Sequence, residues 1–230
     1  MGSIFDNIKD VRRGITEAAM KAGRSPDKVQ LIAVTKTVGA AAVIEAIESG
    51  IQVFGENRVQ EAKKKILSDE ILAMPGKIEW HLIGHLQKNK AKDAVQLFAV
   101  IHTVDSVELA EELDRQAEKI GKIQRVLVQV KLSAEETKSG VTEKGLPELL
   151  EKIAQLKHLW LEGLMTIPPY RDNARDVVPY FRRLRELRDE AETAGLSLPE
   201  LSMGMSHDYE AAIEEGATMV RIGTAIFGER

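Results

Sequence analysis

The chain has 230 residues, 43% hydrophobic and 30% charged, enough for one large domain or two small ones with a sizeable core. A formal net charge of -4 argues against wholesale binding of nucleic acid or an anionic membrane, because such proteins usually carry a basic excess. With no cysteine anywhere, disulfides, thiolate chemistry and cysteine-ligated metals are excluded.

Residues 1–21 place Ile4, Phe5, Ile8, Val11 and Ile15 at helical spacing among charged residues, closed by Ala22-Gly23; this predicts an amphipathic opening helix. There is no signal-peptide core, and no run elsewhere reaches membrane-spanning length, so a cytoplasmic protein is expected. Residues 30–37 then form a short apolar and β-branched run, the pattern of a strand buried on both faces as in parallel sheets. Its last positions hold Lys36. In α/β folds ligands bind beyond the strand C-termini. An amine partly desolvated there has a lowered pKa and is a nucleophile toward carbonyls; the alternative is a lysine that merely reaches solvent from a strand end.

The alternation continues with a helix at 40–47 stopped by Gly50, a strand at 51–54, a turn through Asn57 into a helix at 58–67, and a strand at 78–83 ending at Gly84. A helix at 89–96, a strand at 100–103, a helix capped by Asp105-Ser106 and a strand at 125–130 follow. A polar loop, 133–140, leads to a helix at 147–156, a strand at 161–164, a charged helix at 177–194, a strand at 200–202, a helix at 207–215 and a last strand at 218–222. Eight strand–helix alternations without a linker predict one (β/α)8, or TIM, barrel domain over residues 1–230 rather than an open doubly wound sheet, since such a barrel takes about 250 residues.

The loops after the seventh and eighth strands are where this fold commonly holds phosphate. They read Ser202-Met203-Gly204-Met205-Ser206-His207 and Arg221-Ile222-Gly223-Thr224-Ala225, each pairing a small hydroxyl residue with a glycine before a helix. That is the composition of an anion cradle and equally of ordinary caps and turns. Arg221 adds a permanent cation at the barrel mouth or a structural ion pair within it. A strand-end lysine, a phosphate cradle and a cation between them have one economical common ligand, pyridoxal 5'-phosphate: aldehyde to lysine, phosphate to cradle, ring nitrogen to arginine.

At this point the motifs are recognisable. The stretches Ala33-Val34-Thr35-Lys36-Thr37, Phe54-Gly55-Glu56-Asn57, the run from Trp80 to Gln87 followed by Asn89-Lys90, Leu164-Met165-Thr166-Ile167, Leu201 to Asp208, and Val220 to Gly228 closely resemble the pyridoxal phosphate homeostasis proteins, in the right order and along the whole chain. The resemblance implies a fold type III barrel like the N-terminal domain of alanine racemase. It implies pyridoxal phosphate on Lys36 as an internal aldimine, with its phosphate at Ser202, Gly223 and Thr224. Arg221 is then expected at the pyridine nitrogen, with Asn57, Met165 and Met203 near the ring. The implied role is a carrier or regulator of the cofactor and of amino- and keto-acid pools, without an established reaction, with apo-enzymes as recipients and a monomer as the expected state. The alternatives are an amino-acid racemase and a barrel binding a plain phosphorylated metabolite.

Other constellations carry less. His81 and His85 lie on a strand running into a turn, with no third ligand in view, so no metal site is expected; His81 is read as a hydrogen-bonded barrel residue and His85 as part of a mouth loop. Lys88, Lys90 and Lys92, and likewise Lys63 to Lys65, read as solvated helix faces. Lys138-Ser139-Gly140 has no upstream glycine at P-loop spacing. Arg182, Arg183, Arg185 and Arg188 among acidic residues read as surface charge pairing. A racemase needs a second acid–base group opposite Lys36. The tyrosine-bearing second domain of alanine racemases has no counterpart here, which leaves Tyr170 and Tyr209 as the substitutes.

Overall fold

The computed structural model describes residues 2–133 and 139–229; Lys138 lies outside the described residues. In chain order it contains α1 (Ile4–Lys21), β1 (Gln30–Val34), α2 (Ala40–Glu48), β2 (Val53–Glu56), α3 (Val59–Ile66), α4 (Asp69–Leu72), β3 (Glu79–Leu82), α5 (Ala91–Leu97), β4 (Val100–Val104) and α6 (Val107–Lys119). There follow β5 (Gln124–Lys131), β6 (Val141–Thr142), α7 (Leu146–Ala154), β7 (Leu159–Met165), α8 (Val178–Thr193), β8 (Glu200–Met205), α9 (Tyr209–Glu214), β9 (Met219–Ile222) and α10 (Thr224–Phe227). The helices begin where the side chains permit. Ser3 accepts the Asp6 amide at the start of α1, and Ser106 the Leu109 amide at the start of α6.

Strands β1 to β4 lie side by side, β4 pairs with β5, β5 with β7, β7 with β8, β8 with β9, and β9 returns to β1, every pair parallel. The sheet therefore closes into the expected eight-stranded α/β barrel. The two-residue β6 pairs with β5 outside the ring, and with α4 it is an element the sequence pattern did not announce. Strand β1 ends at Val34, two residues short of the expected end at Lys36, because the chain turns at Lys36 and Thr37 has φ 59°.

Period-2 alternation sorts the strand side chains into two sets. Leu164, Leu201, Met203, Val220 and Ile222 join the main core between barrel and helices. Their neighbours point inward, where Ile32, Val53 and Met219 form one apolar cluster and Val100, Leu127 and Met165 another. Strands β7 and β8 approach closely at Gly163. A Cβ on Gly163 would stand 1.8 Å from the Glu200 carbonyl oxygen, which is backbone and cannot swing aside.

Gly163→Ala is accordingly expected to destabilise the barrel by about 3 kcal/mol or more, at the upper end of overpacking costs, measured as a lower midpoint in chemical denaturation; an unchanged midpoint would mean that β7 and β8 part without cost.

Candidate functional site

Lys36 stands in the turn that follows β1, exposed to solvent at the C-terminal mouth of the barrel. The Val38 amide donates to the Thr35 carbonyl at 3.0 Å and closes the turn. Thr37, at φ 59°, occupies a position that β-turns normally give to Gly or Asn. Under the turn lies a buried polar cluster. Thr35 Oγ1 donates to Glu56 Oε1 at 2.6 Å, and Lys65 of α3 donates to the same Glu56 oxygen and, at 2.5 Å, to the Thr35 carbonyl. Glu61, one turn earlier on α3, accepts the Thr37 amide at 2.5 Å. Burial pushes the Glu56 carboxyl upward, opposed by its bonds from Lys65 and Thr35.

This corrects the reading of the triple-lysine run. Lys63 pairs with Asp93 at 3.0 Å on the surface and Lys64 is exposed, but Lys65 is turned inward and buried. The expectation that Lys36 itself is partly desolvated is also corrected: the buried ammonium of this region is that of Lys65, and Lys36 projects into solvent from its turn.

On the other side of β1 stands β9, with Ala33 in register with Ile222. The strand continues into Gly223 and α10, and a Cβ on Gly223 would meet Val34 at an ordinary 3.5 Å. Neither sterics nor its φ of -114° therefore requires glycine there. The β8 loop packs beside it. Gly204, at φ 94°, takes a left-handed conformation, and Asp208 Oδ1 accepts the Met205 amide at 2.6 Å. This brings Ser206 Oγ within 3.2 Å of the Gly223 amide and 3.3 Å of the Ala225 amide.

Inside the barrel a chain of side chains crosses from β9 to β3. Arg221 Nη1 donates to Ser202 Oγ at 2.6 Å, and Nη2 to the Thr166 carbonyl at 2.9 Å. Ser202 Oγ lies 2.9 Å from His102 Nδ1, and His102 Nε2 lies 3.0 Å from His81 Nδ1. With the Glu79 carboxylate as the acceptor facing His81 Nε2, that nitrogen carries the proton and the order follows back along the chain. Ser202 accepts from Arg221 and gives its proton to His102 Nδ1. His102 then donates from Nε2 to His81, whose own Nε2–H faces Glu79 Oε2 at 3.7 Å, an attraction too long for a hydrogen bond. The His81 ring, Lys77 and Arg125 beside it lower the Glu79 carboxyl from the ordinary carboxylate range. Burial lowers Arg221 to about 10 against the pull of Asp208, so its guanidinium is still charged at neutral pH.

The expected site residues divide accordingly. Lys36, Asn57, Gly223 and Thr224 stand just beyond the ends of the adjacent strands β1, β2 and β9, Met165 faces the interior, and Arg221 is buried. Ser202 is not in the loop pair: its hydroxyl is taken by Arg221 and His102, and the hydroxyl that meets the Gly223 and Ala225 amides is that of Ser206. Met203 belongs to the outer core with Ala211 and Ala212. His102 and Ser206 were missed. Strand alternation, which puts His102 in line with His81, and the second serine of the β8 loop were the available signals. His81 faces inward as read, and His85, on the mouth loop, lies 3.6 Å from Asp105. Among the described residues no group of three or more His, Cys, Asp or Glu is disposed to hold a metal. Tyr209 sets its hydroxyl against Gly14 of α1, and burial raises it to about 12; Tyr170 is exposed, its ring 5.7 Å from that of His207.

An aldehyde-bearing phosphorylated cofactor fits this set. There is an accessible amine, a glycine loop tied by a serine hydroxyl, a buried cation, and at Asn57 a buried side-chain oxygen without a hydrogen-bond partner. Residues 8–230 match the family model "Alanine racemase, N-terminal domain". The chain is 46% identical to the pyridoxal phosphate homeostasis protein of Aquifex aeolicus, over 98% of this chain and 97% of that one. It superposes with a TM-score of 0.87 on PipY of Synechococcus elongatus PCC7942 solved with PLP bound, at 40% identity, covering 98% of this chain and all of that one. Alanine racemase of Clostridium difficile 630, at 18% identity and TM-score 0.71, shares the fold over 98% of this chain and 57% of its own.

The histidine pair makes a pH prediction. Burial, first among the causes, pushes both His81 and His102 below the ordinary range, so the fold holds them neutral. Below about pH 6.5 the unfolded chain binds the extra protons, and stability present above that pH falls as pH falls. Denaturation midpoints are expected to drop from pH 7 to 5. His102→Asn should remove about 1.4 kcal/mol per pH unit of that slope, one proton's worth; an unaltered slope would mean that His102 does not resist protonation.

Proposed function

The chain belongs to the family of the pyridoxal phosphate homeostasis proteins, within the wider alanine racemase N-terminal domain family, and on that premise we propose that it holds pyridoxal phosphate covalently on Lys36 and serves as a carrier in vitamin B6 and amino-/keto-acid homeostasis. The observation that carries this is the convergence of three adjacent strand ends. The turn of Lys36 follows β1, which lies between β2, leading into Asn57, and β9, leading into Gly223 and Thr224. Pyridoxal phosphate supplies an aldehyde that condenses reversibly with an amine, losing water.

In this reading Gly223, Thr224 and Ser206 hold the phosphate through amides and hydroxyls, and Asn57 and Met165 line the ring. Arg221, still charged at neutral pH, donates toward the ring nitrogen and keeps it unprotonated, which weakens the ring as an electron sink. The whole chain acts as one cofactor-binding domain, monomeric and cytoplasmic, that passes its cargo to apo-enzymes. Among the described residues no helix is long and apolar enough to cross a membrane.

The racemase alternative is disfavoured by the tyrosines. A second base must face the α-carbon opposite Lys36, and Tyr209 is instead wedged against α1 with its hydroxyl raised to about 12. This leaves Tyr170 as the only one of the two substitutes on an exposed loop.

The loaded protein is expected to absorb at visible wavelengths, and borohydride followed by peptide mapping should fix the adduct on Lys36, with Lys36→Ala losing it; an adduct on Lys138 instead would move the site. Pyridoxal phosphate should bind far better than pyridoxal, and Ser206→Ala should weaken phosphate-dependent retention about threefold to tenfold, the worth of one hydrogen bond. Equal retention of both forms of the vitamin would remove the cradle. With single amino-acid enantiomers in deuterated water, neither inversion nor α-deuterium uptake is expected at about one per second or faster; an enzyme-like rate would promote the racemase.

A further inference from the structure

The cluster beneath Lys36 is costly to build. Glu56 is 0% exposed and Lys65 only 9%. Taking two opposite charges out of water gains little stability over apolar residues of similar size, and here one Glu56 oxygen has no hydrogen-bond partner at all. What the cluster touches explains it better. Lys65 grips the carbonyl of Thr35, the residue before Lys36, while Glu61 grips the amide of Thr37, the residue after it. Glu61 Oε1 lies 3.7 Å from the Lys65 ammonium, and Glu56 ties that ammonium to the Thr35 hydroxyl. Both peptide groups flanking Lys36 are thus fastened to one ionic assembly on α3 and β2.

Directly after them stands a β-branched residue in left-handed conformation, Thr37 at φ 59°. Such a backbone is strained for threonine and persists where its surroundings over-determine it. Relaxation to an ordinary φ would redirect the turn that carries the Lys36 side chain.

We propose that Lys65, Glu61 and Glu56 are positioning residues for Lys36: they clamp the peptide groups on both sides of it and hold the strained Thr37 backbone that presents its amine to the barrel mouth. This rests on the reading of Lys36 as the point of cofactor attachment. The Lys65 ammonium is committed to Glu56 and the Thr35 carbonyl, so it acts through the turn.

The test uses Glu61→Ala, Lys65→Met, and Lys65→Met/Glu56→Gln, which removes both buried charges where the single change leaves Glu56 unpaired and misfolds. In the cofactor-free protein, hydrogen exchange at the Thr37 and Val38 amides is expected to be slow in the wild type and about tenfold or more faster in the variants, with exchange elsewhere in the barrel unchanged. Capture of pyridoxal phosphate at Lys36, followed by visible absorbance, should slow by about tenfold, the factor to which the strain of one left-handed β-branched residue corresponds. Binding of 4'-deoxypyridoxine 5'-phosphate, which has the ring and phosphate but no aldehyde, should stay within twofold. Adding Thr37→Gly, which adopts the left-handed backbone without strain, should restore capture in Glu61→Ala. Wild-type exchange and capture rates in all variants would overturn the proposal, and so would equal losses for pyridoxal phosphate and the deoxy analogue, which mark a general structural defect. A wild type that binds both ligands without a borohydride-stable adduct on Lys36 would overturn the attachment reading itself, and with it the purpose assigned to the clamp.

Discussion

Closure of the sheet by the pairing of β9 with β1 is the constraint from which the site follows. It sets Gly223 against Val34 and so fixes the glycine loop beside the turn that carries Lys36. It also seals the interior. An eight-stranded barrel is just wide enough to be filled by its own side chains, so Arg221, Ser202, His102 and His81, once inside, have only one another and the strand ends to bond with. A buried guanidinium without such partners would be expensive.

The two faces of the strands carry different parts of the task. Inward-facing residues form a proton-ordered chain that orients Arg221 from below, with every donor pointing away from the guanidinium toward Glu79. Outward-facing Thr35 and Glu56 meet Lys65 of α3 and tie the turn to the helix layer. Lys36 and Arg221 are therefore held by separate polar networks, one in the barrel and one between barrel and helix, and a change in one need not disturb the other.

The strands and most helices were legible because their signals are local. Apolar runs bounded by Gly, and the β8 and β9 loops with their serines, glycines and threonine, can be read without knowing what they pack against. The end of β1 was not. Nothing local in Thr35-Lys36-Thr37 shows that the chain leaves the sheet at Val34, because Thr37 takes a conformation unfavourable to threonine and is held by Glu61, 24 residues later in the chain. Lys65 misled for the same reason. As the last of three consecutive lysines it reads as surface, and only the position of β2 behind α3 makes it a buried partner of Glu56.

By itself the sequence determined the order of alternating strands and helices, the barrel they imply and the loops at its mouth, since hydrophobic period and turn chemistry are written residue by residue. Its motifs also carried the likeness to a cofactor-binding family. Tertiary structure alone decided which serine serves which purpose: Ser202 falls on an inward strand position and bonds Arg221, and Ser206, four residues on, reaches the Gly223 amide. It likewise decided that Met203 faces the helices, that His102 joins His81, and that Lys65 bonds the Thr35 carbonyl. Those outcomes depend on strand register and on how the closed ring meets its helices, and both are set by contacts between residues far apart in the chain.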